Sequence, residues 1–109
     1  MPWSHYLWFF FGGAFLTNAV PHLVSGLMGR AFQSPFAKPP GKGLSSSTVN
    51  VLWGFFNLAV GYVLLNSTGD FDLHAPDEAA AVAFGALLIA LLCARLFGPF
   101  HGGNISSAS

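Results

Sequence analysis

Residues 3–29, WSHYLWFFFGGAFLTNAVPHLVSGLMG, form a stretch long and apolar enough to cross a bilayer, yet it holds Asn18, Pro21 and His22. A spanning helix needs about 20 mostly apolar residues. The polar insert is the one part of the stretch that lipid solubility does not account for. No Lys or Arg precedes Arg30, and the apolar run is longer than the core of a secretory signal, so the stretch reads as a retained membrane helix.

Only 7% of the 109 residues are charged while 53% are hydrophobic and 16% aromatic. Soluble domains carry about 25% charged residues, so the chain has too few charges to cover a water-facing surface. Four acids balance four bases. The basic stripe that accompanies nucleic-acid binding is missing. The expected partners are the lipid bilayer and other membrane helices, from the same chain or another subunit, with no nucleic acid. Cys93 is the single cysteine, which excludes an intramolecular disulfide and a thiolate metal cluster.

Three apolar segments predict an all-α, integral membrane three-helix bundle forming one membrane domain over residues 1–109, with helices at about 6–28, 48–65 and 77–97. Trp3, Tyr6 and Trp8 stand where amphipathic rings favour the headgroup level. Pro21 predicts a kink, with a backbone carbonyl freed near Thr17 that His22 could satisfy. Residues 30–47 contain Pro35, Pro39, Pro40, Gly41 and Gly43 and read as a loop, with Phe32 and Phe36 expected to dip into the membrane interface. This loop mixes aromatics with shape-fixing prolines, as a docking segment would. A Ser/Thr run then supplies an N-cap for the second helix. Residues 66–76 form the second loop, and Asp77 and Glu78 open the third helix, where carboxylates complement the helix dipole. Gly98 and Pro99 predict its end, followed by a flexible tail over residues 98–109.

Charge sets the expected orientation. Arg30, Lys38 and Lys42 fall in the first loop, Arg95 falls near the end of the third helix, and the four acids lie in or beside the second loop. With bases on the cytoplasmic side, loop 30–47 and the C-terminus are cytoplasmic, while loop 66–76 and the N-terminus are outside. The simplest host is a bacterial-type inner membrane. Arg30, Lys38, Lys42 and Arg95 read as interface or lipid anchors.

At about 1.5 Å per residue, Asn18 and Asn57 reach similar depth and can pair, whereas His22 lies deeper than Asn50. Asn18, His22, Ser25 or Gly26, and Gly29 share one face of the first helix; Asn50, Gly54, Asn57 and Gly61 share one face of the second. Ala79, Ala83, Ala86, Ala90 and Ala94 make a small-residue stripe on the third. Small residues allow close approach and polar ones hydrogen-bond across helices, which is how membrane helices associate. Asn18, His22, Asn50 and Asn57 are therefore the candidate polar intramembrane site, with His22 the ionisable member.

No metal site is expected: His5, Asp70, Asp72 and His74 carry suitable atoms, but DFDLH is not a ligand spacing. No cofactor is expected either. A haem on His22 would need a second axial histidine from a dimer partner or another subunit. The glycosylation sequons at Asn66 and Asn104 read as chance matches, one hugging the membrane and the other on the cytoplasmic side. Catalytic signatures are lacking, so a non-enzymatic role is expected. The reading is a packing or accessory subunit of a homo-oligomer or larger membrane complex. Its alternatives are a homo-oligomeric channel or transporter with an Asn/His-lined route, and a membrane redox or lipid-binding protein that uses His22.

Overall fold

The computed structural model describes residues 2–103. Three helices are long and apolar enough to cross a membrane: α1 (Ser4–Leu27), α2 (Ser47–Asn66) and α3 (Pro76–His101). Between α1 and α2 lies a short antiparallel hairpin of β1 (Phe32–Gln33) and β2 (Leu44–Ser45), in which Phe32 pairs with Ser45 and Gln33 with Leu44.

Local chemistry sets the helix ends. Ser46 caps α2, its Oγ accepting from the Val49 N–H at 3.2 Å, and so satisfies one of the amides that a helix start leaves open. At the far end the Asn66 amide and the Ser67 hydroxyl donate to the Tyr62 and Val63 carbonyls, and Gly69 turns the chain at φ 75°. Pro76 occupies the first turn of α3, where its missing N–H costs nothing. Glu78 in the same turn accepts from the Asp72 N–H at 2.9 Å, tying the second loop to the helix.

The third helix outruns its expected end. It passes through Gly98 and Pro99 to His101 and stops at Gly102, whose φ of 77° is the left-handed turn that glycine adopts without strain. Proline's own φ is helical, but Pro99 removes one hydrogen bond and its ring crowds the carbonyl four residues back, so the last turn draws on contacts outside the helix. The ring of His101 is stacked on Phe32 at 5.0 Å, which gives the last turn a packing partner. The tail predicted over 98–109 is thus helical at its start, and residues 104–109, with the Asn104 sequon, lie outside the described residues.

Helix α1 sits in the middle. It packs against α2 on one side and α3 on the other, while α2 and α3 barely touch. The result is a flat unit of 42 × 35 × 22 Å, its thinnest dimension about two helix diameters. Glycines allow the close approach: a Cβ on Gly85 would overlap the Phe10 carbonyl, and one on Gly13 the Val82 carbonyl. On the other side Gly12 and Gly61 face each other, as do Gly26 and the start of α2. The α2 face predicted from spacing is the buried one, made of Asn50, Gly54, Asn57 and Gly61.

Two small-residue expectations fail. Ala83, Ala90 and Ala94 point outward, and α3 meets α1 instead through Gly85, Cys93 and Phe97. Gly29 lies just past the end of α1 at φ 74° with open space around it, so it is a turn residue rather than a packing one. Tyr6 Oη donates to Asp77 Oδ2 at 2.6 Å, fixing the start of α1 against the start of α3. The four acids therefore gather at one end of the unit and the four bases toward the other, termed here the acidic and basic ends.

Candidate functional site

The buried polar residues of the basic end centre on His22, which is 2% exposed. The α1 register carries it to the α2-facing side of the helix, and its Nδ1 lies 2.7 Å from Asn50 Oδ1. Asn50 has no exposed surface, and its Nδ2 donates to the carbonyls of Phe32, Ser45 and Ser46 at 3.0 to 3.2 Å. Those acceptors fix which way the Asn50 amide faces. Oδ1 must point to His22, so Nδ1 carries the proton and donates. In the neutral ring Nε2 is then the lone-pair nitrogen, and it has no hydrogen-bond partner among the described residues.

Sequence spacing places His22 and Asn50 at different depths. With α1 ending at Leu27 and α2 starting at Ser47, the two residues stand five and three positions from the helix ends, and the gap closes to about 3 Å. Asn50, not the carbonyl freed by Pro21, is the partner of His22.

Aromatic edges enclose the imidazole. Phe32 stands at 5.5 Å, Phe97 at 6.1 Å and Trp53 at 6.3 Å, all close to perpendicular. Phe32 is buried under the returning hairpin, not dipped into an interface, whereas Phe36 is exposed and meets the edge of Trp53. Two further bonds hold the hairpin besides those of Asn50. His101 Nε2 donates to Gln33 Oε1 at 2.8 Å, and the Ser34 and Ser45 hydroxyls share a 2.5 Å hydrogen bond.

Asn18 and Asn57 come together one turn further in: Asn18 Nδ2 donates to Asn57 Oδ1 at 3.0 Å, and Asn57 Nδ2 to the Trp53 carbonyl at 2.8 Å. Cys93 Sγ donates to Asn18 Oδ1 at 3.6 Å, so α3 joins the same network. The four candidate residues thus form two bonded pairs, each joining α1 to α2.

A cleft of about 340 Å³ opens over His22, walled by Asn18, Ser34, Trp53, Phe97 and the hairpin prolines Pro35 and Pro40. The indole Nε1–H of Trp53 is buried without an acceptor among the described residues. An unmet buried donor costs about 1–3 kcal/mol. Pro40, Gly41 and Phe97 also wall a neighbouring cleft of about 670 Å³, whose rim carries Lys42 and Arg95. Lys38, Lys42, Arg30 and Arg95 are all exposed.

The cleft offers an imidazole acceptor beside aromatic and amide surfaces. His101 is a second histidine at this end, and its Nε2 donates to Gln33. At the acidic end His74 pairs with Asp72 at 3.3 Å, and the Nδ1 of His5 is buried without a partner among the described residues. No group of three or more potential metal ligands forms among the described residues.

Gln33, Trp53, Phe97 and His101 are the site residues that sequence reasoning passed over. The aromatic run and the expected helix stop at Gly98 concealed them: Trp53 and Phe97 reach His22 from α2 and α3, and the returning hairpin brings Gln33 to His101. Comparison with known proteins finds no matching family, no similar curated protein and no similar solved structure.

Proposed function

We propose that the chain is a multi-pass membrane protein that holds a small membrane-borne ligand in the cleft over His22. In this reading all three helices cross a bacterial-type inner membrane, the basic end faces the cytoplasm, and the N-terminus is outside, because Lys and Arg favour the cytoplasmic side. The observation that carries the reading is the state of His22. Its Nδ1 is locked by Asn50, its Nε2 is without a partner among the described residues, and the side chain, 2% exposed, lies at the floor of a cleft. A histidine kept only for packing has no need of that cleft.

Two other roles draw less support. Asn18 and Asn57 are bonded to each other within one chain, a use that serves the packing of α1 on α2 and not a route between copies. The glycine faces suited to assembly are spent within the unit. A role as a packing or accessory subunit is the second reading, favoured by the outward alanines Ala83, Ala90 and Ala94 on α3.

The experiment is purification in native-lipid particles, with the organic-soluble molecules extracted and the absorbance spectrum recorded. A ligand retained by the wild type and lost from His22→Ala supports the site. Identical extracts, with another polypeptide co-purifying, move the reading to the accessory role.

A further inference from the structure

We infer that the ligand is an anionic phospholipid with a hydroxyl-bearing headgroup, of the phosphatidylglycerol kind, drawn from the leaflet at the basic end. This rests on the reading of His22 as the ligand site and names the class of molecule that the site takes.

The argument begins with the two clefts. They share Pro40, Gly41 and Phe97, so they adjoin across those residues, each with its own chemistry. The inner part presents His22, whose lone-pair nitrogen accepts hydrogen bonds and in the neutral ring cannot donate. Its natural complement is a hydroxyl. The outer part carries Lys42 and Arg95 on its rim, and every acid of the chain lies toward the opposite end, so the local field favours an anion. Leu96, Pro99 and Phe100 supply apolar wall beside those charges. Beyond them α3 exposes Leu88, Leu91 and Leu92, a surface suited to acyl chains.

Order across the two clefts matches order along the lipid. A headgroup hydroxyl would reach His22, the phosphate would sit between Lys42 and Arg95, and the chains would follow α3. Phosphatidylcholine offers the same tails, but its quaternary ammonium cannot donate to Nε2, and no zwitterionic lipid, ethanolamine lipids included, carries the net charge that the two bases favour.

Trp53 lines the inner cleft and serves as the reporter. Trp3 and Trp8, the two other tryptophans, are exposed near the acidic end, so Trp3→Phe with Trp8→Phe leaves Trp53 as the sole indole. The full chain in phosphatidylcholine nanodiscs is titrated with phosphatidylglycerol brominated on its chains, and separately with brominated phosphatidylcholine. Phosphatidylglycerol is expected to reach half-maximal quenching at a mole fraction about thirtyfold lower, given about 1 kcal/mol for each of the two basic residues near the surface. Lys42→Gln with Arg95→Gln should abolish the difference. His22→Gln keeps a partner for Asn50 and should weaken phosphatidylglycerol alone. Equal half-points for the two lipids, with a His22-dependent molecule still recovered from native particles, overturn the lipid assignment and leave the site reading standing. Quenching by phosphatidylglycerol that is unchanged in His22→Gln, with no His22-dependent molecule recovered, overturns both.

Discussion

Asn50 Oδ1 accepts from His22 Nδ1 at 2.7 Å, and because the Asn50 Nδ2 is held by three backbone carbonyls the amide cannot turn over. One asparagine therefore anchors the hairpin to α2 and sets the tautomer of a histidine on α1. Packing and chemistry of the basic end meet in that side chain.

Asn50→Ala removes the hairpin anchor and the histidine partner together. Carbonyls of Phe32, Ser45 and Ser46 lose their donor in a buried setting, and unmet buried groups cost about 1–3 kcal/mol each, partly recovered by water. The expected loss is roughly 2–3 kcal/mol, read from the unfolding equilibrium in mixed micelles. A change within measurement error would show that the amide bonds nothing of consequence.

Gly85→Ala places a methyl group on the Phe10 carbonyl, and the obstacle is backbone, which cannot swing aside as a side chain can. Overpacking of this kind costs typically about 1–3 kcal/mol. The variant should loosen α3 from α1 while leaving the α1–α2 contact intact. Disulfide trapping of cysteine pairs placed across each contact separates the two effects, and equal loss at both contacts would contradict the arrangement with α1 in the middle.

The Asn18–Asn57 bond spans α1 and α2 at 3.0 Å. Interhelical hydrogen bonds in membranes average about 0.6 kcal/mol. A double-mutant cycle with Asn18→Ala and Asn57→Ala should give a coupling of that order. Zero coupling would place the worth of Asn57 in its bond to the Trp53 carbonyl alone.

The orientation is tested by labelling. In a Cys93→Ala background, Asp70→Cys in the second loop should react with a membrane-impermeant maleimide on intact cells, and Lys42→Cys only after permeabilisation. Both residues are exposed, so access reports the side of the membrane and not burial. The reverse pattern would invert the topology.

Much of the helical frame is legible in the sequence, because long apolar runs, a Ser/Thr cap and a Pro-Asp-Glu start each act over a few neighbouring residues. The buried α2 face follows from the spacing of Asn50, Gly54, Asn57 and Gly61, and the meeting of Asn18 with Asn57 follows from depth. The hairpin was not legible. Its strands are two residues long and carry no period, and Pro35, Pro39 and Pro40 announce only that a helix ends. What it does is tertiary: it returns Phe32 to the side of His22 and Gln33 to His101. The alanine row on α3 misled because small residues mark where close packing is possible, and Gly85 offered a closer approach.

The central claim is that His22 presents Nε2 to a ligand in the membrane. Its most direct test is the ¹⁵N spectrum of histidine-labelled protein in native-lipid particles, before and after exchange into phosphatidylcholine. The account predicts a His22 ring protonated on Nδ1 in both samples, with an Nε2 resonance that moves on exchange and returns when the native lipid extract is restored. A ring protonated on Nε2 with bare Nδ1, or an Nε2 resonance indifferent to the exchange, would contradict it.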